Sequence, residues 1–266
     1  MDNNKKIGLA LGSGGGRGLA HIGVIKSLIK NNISIDFIAG SSVGAIIGGL
    51  YAATGNIEEV EKIANDVNFK KLLKTIFQKS SGKDSVLNKK FNLFFKNIIG
   101  DVRIEDLKIH YCAVGSDLIT GKVVILDKGS LINAMKASCA IPLLFKPVKI
   151  DDKYIFDGGM ISPIPVEVVK QMGAEKIIGV SLYGGIFPIK LAKNKKMTKI
   201  RAGMLSRFLS LKKLADIDLL SADVSLELNI PGEDYGIFKK FFSSQKLINF
   251  GFEETEKIIK DKKITS

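Results

Sequence analysis

The chain has 266 residues, 45% of them hydrophobic, enough for one large single-core domain spanning 1–266 and forcing no division into two. Two cysteines exclude a disulfide framework, so Cys112 and Cys139 are expected as buried free thiols. The formal net charge of +13 asks either for an anionic partner or for a broadly solvated basic surface, and nucleic acid is not expected, because no recognisable binding module accompanies the charge.

The start, MDNNKKIGLALGSGGG, is basic, but its apolar run is too short for a signal peptide and no A-x-A site follows. No segment reaches the roughly 18 consecutive apolar residues of a spanning helix. A soluble, cytoplasmic protein is expected. Next come a strand at KIGLALG, a helical pattern at GLAHIGVIKSLIKN, a strand at SIDFIAG and a buried helix at VGAIIGGLYAATG. Such alternation indicates parallel strands joined by crossover helices, an α/β layered fold. The region 65–100 is the least regular and is expected to form an insertion or cap. Further strands are expected at HYCAVGSDL, KVVILDKG and KIIGVSLY, the first two joined by a turn at LITG. The C-terminal part, 186–266, is basic and helical, and a break is expected near Gly251.

Two basic stretches stand out. The segment 190–213 carries nine Lys and Arg residues and no acid, and 70–96 interleaves lysines with Phe77, Phe91, Phe94, Phe95 and several aliphatics. This pattern suits an anionic membrane surface, with lysines at the head groups and aromatics in the acyl boundary, giving peripheral contact at the inner face. The same pattern is also what a solvated basic face would show.

LGSGGGRGLAHIG follows the first strand and opens the first helix, where backbone N–H groups gather and bind negative charge. A P-loop needs Lys and then Ser or Thr after its last glycine, and Arg17 and Gly18 stand there instead. A dinucleotide fingerprint would need glycine at Arg17, and Asp36, the candidate ribose contact, falls early in its strand. These features weaken the cofactor reading, and a third, competing reading is an oxyanion hole built from Gly14, Gly15 and Gly16.

The second strand runs into GSSVG and then a helix, the context of a nucleophile elbow with Ser42 at its tip and the Val43 N–H as one more oxyanion donor. The only histidines are His21 and His110. A late-chain histidine base is therefore missing. His21, in the first helix, is expected to pack or to hold the glycine loop rather than to act in catalysis, and His110, at the start of a strand, to have a surface or structural role. A carboxylate base has to be sought, and Asp157, at the end of a short strand and before two glycines, is the candidate. Alone, an Asp-Gly-Gly turn is a loop signal.

GSGGGRG, GSSVG, ASCAIPLLFKPV and the DGG turn occur in the order and spacing of the patatin-like phospholipases, and the chain resembles their small bacterial members over residues 6–183. The resemblance implies a three-layer α/β/α sandwich with a mostly parallel central sheet and a Ser–Asp dyad in place of a triad. By position, Ser42 matches the nucleophile, Asp157 the base, and Gly14, Gly15 and Gly16 the oxyanion loop, with Arg17 beside it. Ser13 replaces a loop glycine of several relatives, and Ser162 an asparagine that often follows the DGG turn. The activity implied is fatty acyl ester hydrolysis on phospholipid or another acyl ester through an acyl-enzyme. An acyltransferase on the same dyad, or a lipid- or phosphate-binding regulator without chemistry, are its alternatives. No cofactor and no metal are expected, since no cluster shows ligand spacing.

Overall fold

The inner strands are buried along almost their whole length, and their side chains alternate between two separate cores, which shows where the layers lie. In the computed structural model, which describes residues 5–69, 71–72, 84–142, 145–187, 197–230 and 244–261, eight strands form one sheet: β1 (Ile7–Leu11), β2 (Phe37–Ser41), β3 (His110–Asp117), β4 (Val123–Leu126), β5 (Val148–Ile150), β6 (Lys153–Asp157), β7 (Lys176–Ser181) and β8 (Val224–Glu227). Leu9 and Leu11 of β1, Ile38 of β2, Tyr111 and Ala113 of β3 and Ile178 of β7 enter one core. Their neighbours Ala10, Ala39, Cys112, Val114 and Ile177 enter a second core on the opposite face. Both faces are thus covered, as a largely parallel sheet requires.

The first face is covered by α1 (Ala20–Lys30), α2 (Val43–Thr54), α3 (Ile57–Asn65), α4 (Asp84–Ile99), α5 (Leu131–Ser138) and α8 (Ser244–Asp261); the second by α6 (Val166–Gln171) and α7 (Lys199–Leu219). The result is the expected three-layer α/β/α arrangement. The sheet order is β5-β6-β3-β2-β1-β7-β8, with β4 on β3, and β2, β3, β1, β7 and β8 run parallel. From β1 the chain builds outward through β2 and β3, then returns to the other side of β1 with β7. That reversal at β1 makes the carboxyl ends of β1, β2 and β7 the place where a crevice opens.

One crowded strand shapes that crevice. Residues His110–Val114 of β3 pair with β2, while Gly115, Ser116 and Asp117 pair with β6 in the antiparallel sense. Because Ala113 to Ser116 also pair with β4, β4 occupies one edge of β3, and β2 and β6 share the other. The two strands therefore meet end on, Ser41 of β2 facing the end of β6 at Asp157.

Three expectations need correction. Part of 65–100 is regular: α4 runs Asp84–Ile99, and Phe91 and Phe95 are buried in an aromatic cluster with Phe69 and Phe94, so these rings belong to the core and not to a membrane boundary. Phe77 lies outside the described residues. The basic run 190–213 is not one free face either: Lys212 pairs with Asp216 and, at 2.9 Å, with Glu227, whereas 190–196 lie outside the described residues. Finally, α8 passes through Gly251 without interruption. A Cβ there would stand 2.1 Å from the Ala20 carbonyl oxygen, and one at Gly23 of α1 would stand 1.9 Å from that of Ile248. Gly251 is therefore a point of backbone contact between α1 and α8 rather than a helix terminator.

The two roles predict opposite signs. Ala at a merely weak helical position would raise stability by about 1 kcal/mol, but Gly251→Ala should lower it by about 1–3 kcal/mol through overpacking. Equilibrium unfolding of the variant measures the sign.

Candidate active site

Ser42 joins β2 to α2 at φ 56° and ψ −122°, a left-handed conformation that a non-glycine residue adopts only under constraint. The flanking glycines supply that constraint. A Cβ at Gly40 would lie 2.5 Å from the Ala45 backbone, and one at Gly44 would lie 2.2 Å from the Leu11 carbonyl oxygen. The turn is thus pressed against its own helix and against the end of β1, leaving the Ser42 side chain to project past them. The Ser42 N–H is held by the Ser138 hydroxyl at 2.9 Å, and that hydroxyl in turn donates to the Val114 carbonyl at 2.6 Å.

Across the strand junction, the Ser42 hydroxyl donates to Asp157 Oδ2 at 2.6 Å. Oδ1 of the same carboxylate accepts the Gly159 N–H at 2.8 Å, and the Asp157 backbone is fixed by its N–H to Ala140 and by the Ser116 hydroxyl to its carbonyl. Asp157 is 4% exposed and Ser42 3%. Burial raises the carboxyl pKa to about 6, against the lowering effects of the Ser42 and Gly159 hydrogen bonds and of the Arg207 charge. The buried Cys139 thiol is pushed well above its ordinary value by the same burial and by the nearby Asp157 charge. Both cysteines are free and buried.

The glycine loop closes the pocket from the β1 side. Gly15 has φ 58° and begins a 3-10 turn, Gly15–Leu19, that leads straight into α1; the leading N–H groups of such a turn have no acceptor within it. Gly14 and Gly15 line a pocket together with Ser13, Ser42, Asp157, Gly159 and Tyr183. Gly16, Arg17 and Val43 do not line it. The Arg17 guanidinium is turned to the Leu182 carbonyl, 3.1 Å away, and burial lowers its pKa to about 10. The Val43 side chain fills the space beside Gly18.

Neither histidine is placed to act as a base. His21 is fully buried, its Nε2–H donates to the Gly12 carbonyl at 2.7 Å, and Nδ1 is enclosed without a partner. Burial lowers its pKa to about 4, so the ring is neutral and serves to hold the glycine loop. His110 stacks on Phe37 at the amino end of the sheet, away from the pocket. Asp36 is spent there too, accepting the Ile7 N–H at 2.7 Å. Of the two departures from the family pattern, Ser13 lines the pocket and its hydroxyl bonds the buried Tyr183 hydroxyl at 2.7 Å, while at Ser162 only the backbone carbonyl is engaged, accepting the Ser41 hydroxyl at 2.6 Å.

Ser138, which clamps the Ser42 N–H, is the last residue of α5 and lies within ASCAIPLLFKPV, so its signal is that motif. Other residues, in the pocket wall, carry no readable signal. Arg207, Phe208 and Leu211 of α7 complete the lining from a segment that matches no motif.

Compared with known proteins, residues 9–170 match a family model described as patatin-like phospholipase. The chain belongs to the patatin-like phospholipase family. An uncharacterised NTE-family protein of Mycobacterium bovis is 38% identical over 182 residues, 68% of this chain and 50% of that protein. A lysophospholipase NTE1 of Candida albicans is 30% identical over 185 residues, 68% of this chain and 13% of that one. The chain thus spans half or less of the length of these relatives. Among solved structures, VipD from Legionella pneumophila superposes with a TM-score of 0.55 at 12% identity, covering 97% of this chain and 67% of VipD, and so shares the fold. Among the described residues, no helix is long and apolar enough to cross a membrane.

The buried carboxylate makes a stability prediction for this patatin-like chain. Below its ordinary value of 3.8, Asp157 is protonated in both folded and unfolded chains; as pH rises toward about 6, the unfolded chain ionises first and the wild type loses stability. Asp157→Asn has no proton to lose. Its stability relative to wild type should therefore climb between pH 4 and 6 and stay up to about 3 kcal/mol higher at pH 7, as measured by urea unfolding across that range.

Proposed function

We propose that this protein is a lipid acyl hydrolase in which Ser42 is the nucleophile and Asp157 its base. The observation that carries the reading is the 2.6 Å hydrogen bond from the Ser42 hydroxyl to Asp157 Oδ2, made at a strained strand-to-helix turn in a pocket lined by Gly14 and Gly15. In the first step, Asp157 accepts the Ser42 proton as Oγ bonds to the ester carbonyl carbon, and the carbonyl oxygen becomes an oxyanion facing the glycine-loop amides. The C–O bond to the alcohol then breaks, the proton passes from Asp157 to the leaving oxygen, and an acyl-enzyme remains. Water, deprotonated by the same carboxylate, attacks the acyl-enzyme; the fatty acid leaves and Ser42 recovers its proton.

Serine is a poor acid, and an ordinary surface carboxylate would be a weak base for it. Burial that raises Asp157 to about 6 strengthens that base while leaving it ionised at neutral pH. The rest of the barrier falls to the oxyanion donors, which act where charge develops. The lysophospholipase name of the Candida albicans relative supports monoacyl phospholipid as the substrate class.

Contact with an anionic membrane through 70–96 and 190–213 belongs to the same proposal in electrostatic form. Lys89, Lys90 and Lys213 are exposed, while the nearby Phe91 and Phe95 are not available for insertion. Sedimentation with vesicles should show binding that grows with anionic lipid, weakens with salt, and falls when these three lysines become Gln; binding indifferent to all three makes this a solvated basic face.

The dyad is tested by Ser42→Ala and Asp157→Asn, each expected to lower kcat/KM on a lysophospholipid at least about 1,000-fold, with the double variant little worse because the two groups act as a unit. A fluorophosphonate probe should label Ser42 and no other serine. His110→Ala is the control, and kcat/KM of the wild type should rise with pH through about 6, following ionisation of Asp157. Full activity in either folded single variant overturns the assignment.

A further inference from the structure

Arg207 is a cation on the wall of this pocket, and its Nε–H is buried with no acceptor among the described residues. A guanidinium donor withdrawn from water and left unbonded is costly, and Arg in such a place is suited to fork onto an oxyanion. Asp157 is near enough to feel the Arg207 charge but accepts no hydrogen bond from its Nε–H; its carboxylate is bonded by Ser42 at Oδ2 and by Gly159 at Oδ1. The neighbouring cation on the same helix, Lys212, is already neutralised by Asp216 and Glu227. Arg207 is accompanied in the lining by Phe208 and Leu211, with Ile141 from the other side. The wall thus offers one positive fork beside apolar surface, next to a serine hydroxyl bonded to a carboxylate.

A neutral ester with two hydrocarbon arms would leave the fork unsatisfied. A molecule that joins an acyl chain, an ester and an anionic phosphate fills all three features. We propose that Arg207 is a phosphate-binding residue of this pocket, holding the phosphate of a monoacyl phospholipid whose ester carbonyl lies at Ser42. This rests on the acyl hydrolase reading above and adds the residue that selects the substrate. Arg207 lies beyond the 9–170 matched by the family model, so the selectivity belongs to the C-terminal part of this chain and not to the shared motifs.

Two measurements test it. In calorimetric titrations, octyl phosphate should bind the wild type about tenfold or more tightly than it binds Arg207→Gln, with Arg207→Lys in between, the loss expected for one charged hydrogen-bonded contact. Inorganic phosphate should bind much more weakly than octyl phosphate. Equal binding of the two makes this a free-phosphate site and overturns the proposal, as does octyl phosphate binding that ignores Arg207. In kinetics, the ratio of kcat/KM for a 1-acyl lysophosphatidic acid to that for the monoacylglycerol of the same chain should fall about tenfold in Arg207→Gln, chiefly through KM, and recover in part in Arg207→Lys. If that ratio holds while the acid limb of the pH profile moves upward, Arg207 only tunes Asp157, and the proposal fails. Arg207-dependent binding of octyl phosphate by a wild type that hydrolyses no ester would overturn the hydrolase reading and leave the phosphate site standing.

Discussion

Along one edge of β3, two strands of opposite direction arrive end to end, and the pocket is built on that junction. β2 pairs with His110–Val114 and β6 with the next three residues, so Ser42, just beyond β2, and Asp157, ending β6, are brought to one point by backbone ladders rather than by long flexible side chains. The junction has no spare room. A Cβ at Gly158 would stand 2.1 Å from the Val114 carbonyl oxygen, and the Ser138 hydroxyl ties that same carbonyl to the Ser42 N–H. Short polar residues do the fastening: Ser41, Ser116 and Ser138 each spend a hydroxyl on backbone at the junction. The strained dihedrals at Ser42 persist because the surrounding turn is over-determined.

In the proposed mechanism the junction also takes the place of a histidine base. Asp157, its carboxyl raised to about 6 by burial, would stand where a triad has its histidine, and it is oriented by the Gly159 N–H as a triad histidine is oriented by its acid. Desolvation costs stability, and the sheet absorbs it. His21 serves a different use: buried, neutral and bonded to the Gly12 carbonyl, it props the loop that lines the pocket with Ser42 and Asp157. That loop is braced from behind by α8, whose Gly251 backbone lies against Ala20 at the start of α1. A helix from the C-terminal part of the chain thus supports the glycine-loop side of the pocket.

How much of this could be read beforehand depended on range. The strands and helices of the first half were legible because periods of two and 3.6 are local, and the elbow was legible because Gly40 and Gly44 are placed by contacts within a few residues or with the adjoining strand end. A glycine in a helix looks the same in sequence whether it ends the helix or admits a neighbour; only the space that a Cβ would lack, 2.1 Å from the Ala20 carbonyl at Gly251 and 1.9 Å from the Ile248 carbonyl at Gly23, distinguishes the two. The phenylalanines of α4 were misread for a related reason: lysines alternating with aromatics describe either a membrane-facing surface or a core helix with a solvated back.

Sequence alone determined the α/β class, the Ser42 turn, the absence of a late histidine and the pairing of Ser42 with Asp157 as candidates, since each is written in residue type, order and local spacing. Tertiary structure alone decided that their oxygens lie 2.6 Å apart, that His21 is neutral, that Arg17 faces Leu182 rather than the pocket, and that Arg207 faces the pocket instead. Direction of a side chain and the dielectric around it are set by residues a hundred or more positions away, and no local pattern encodes them.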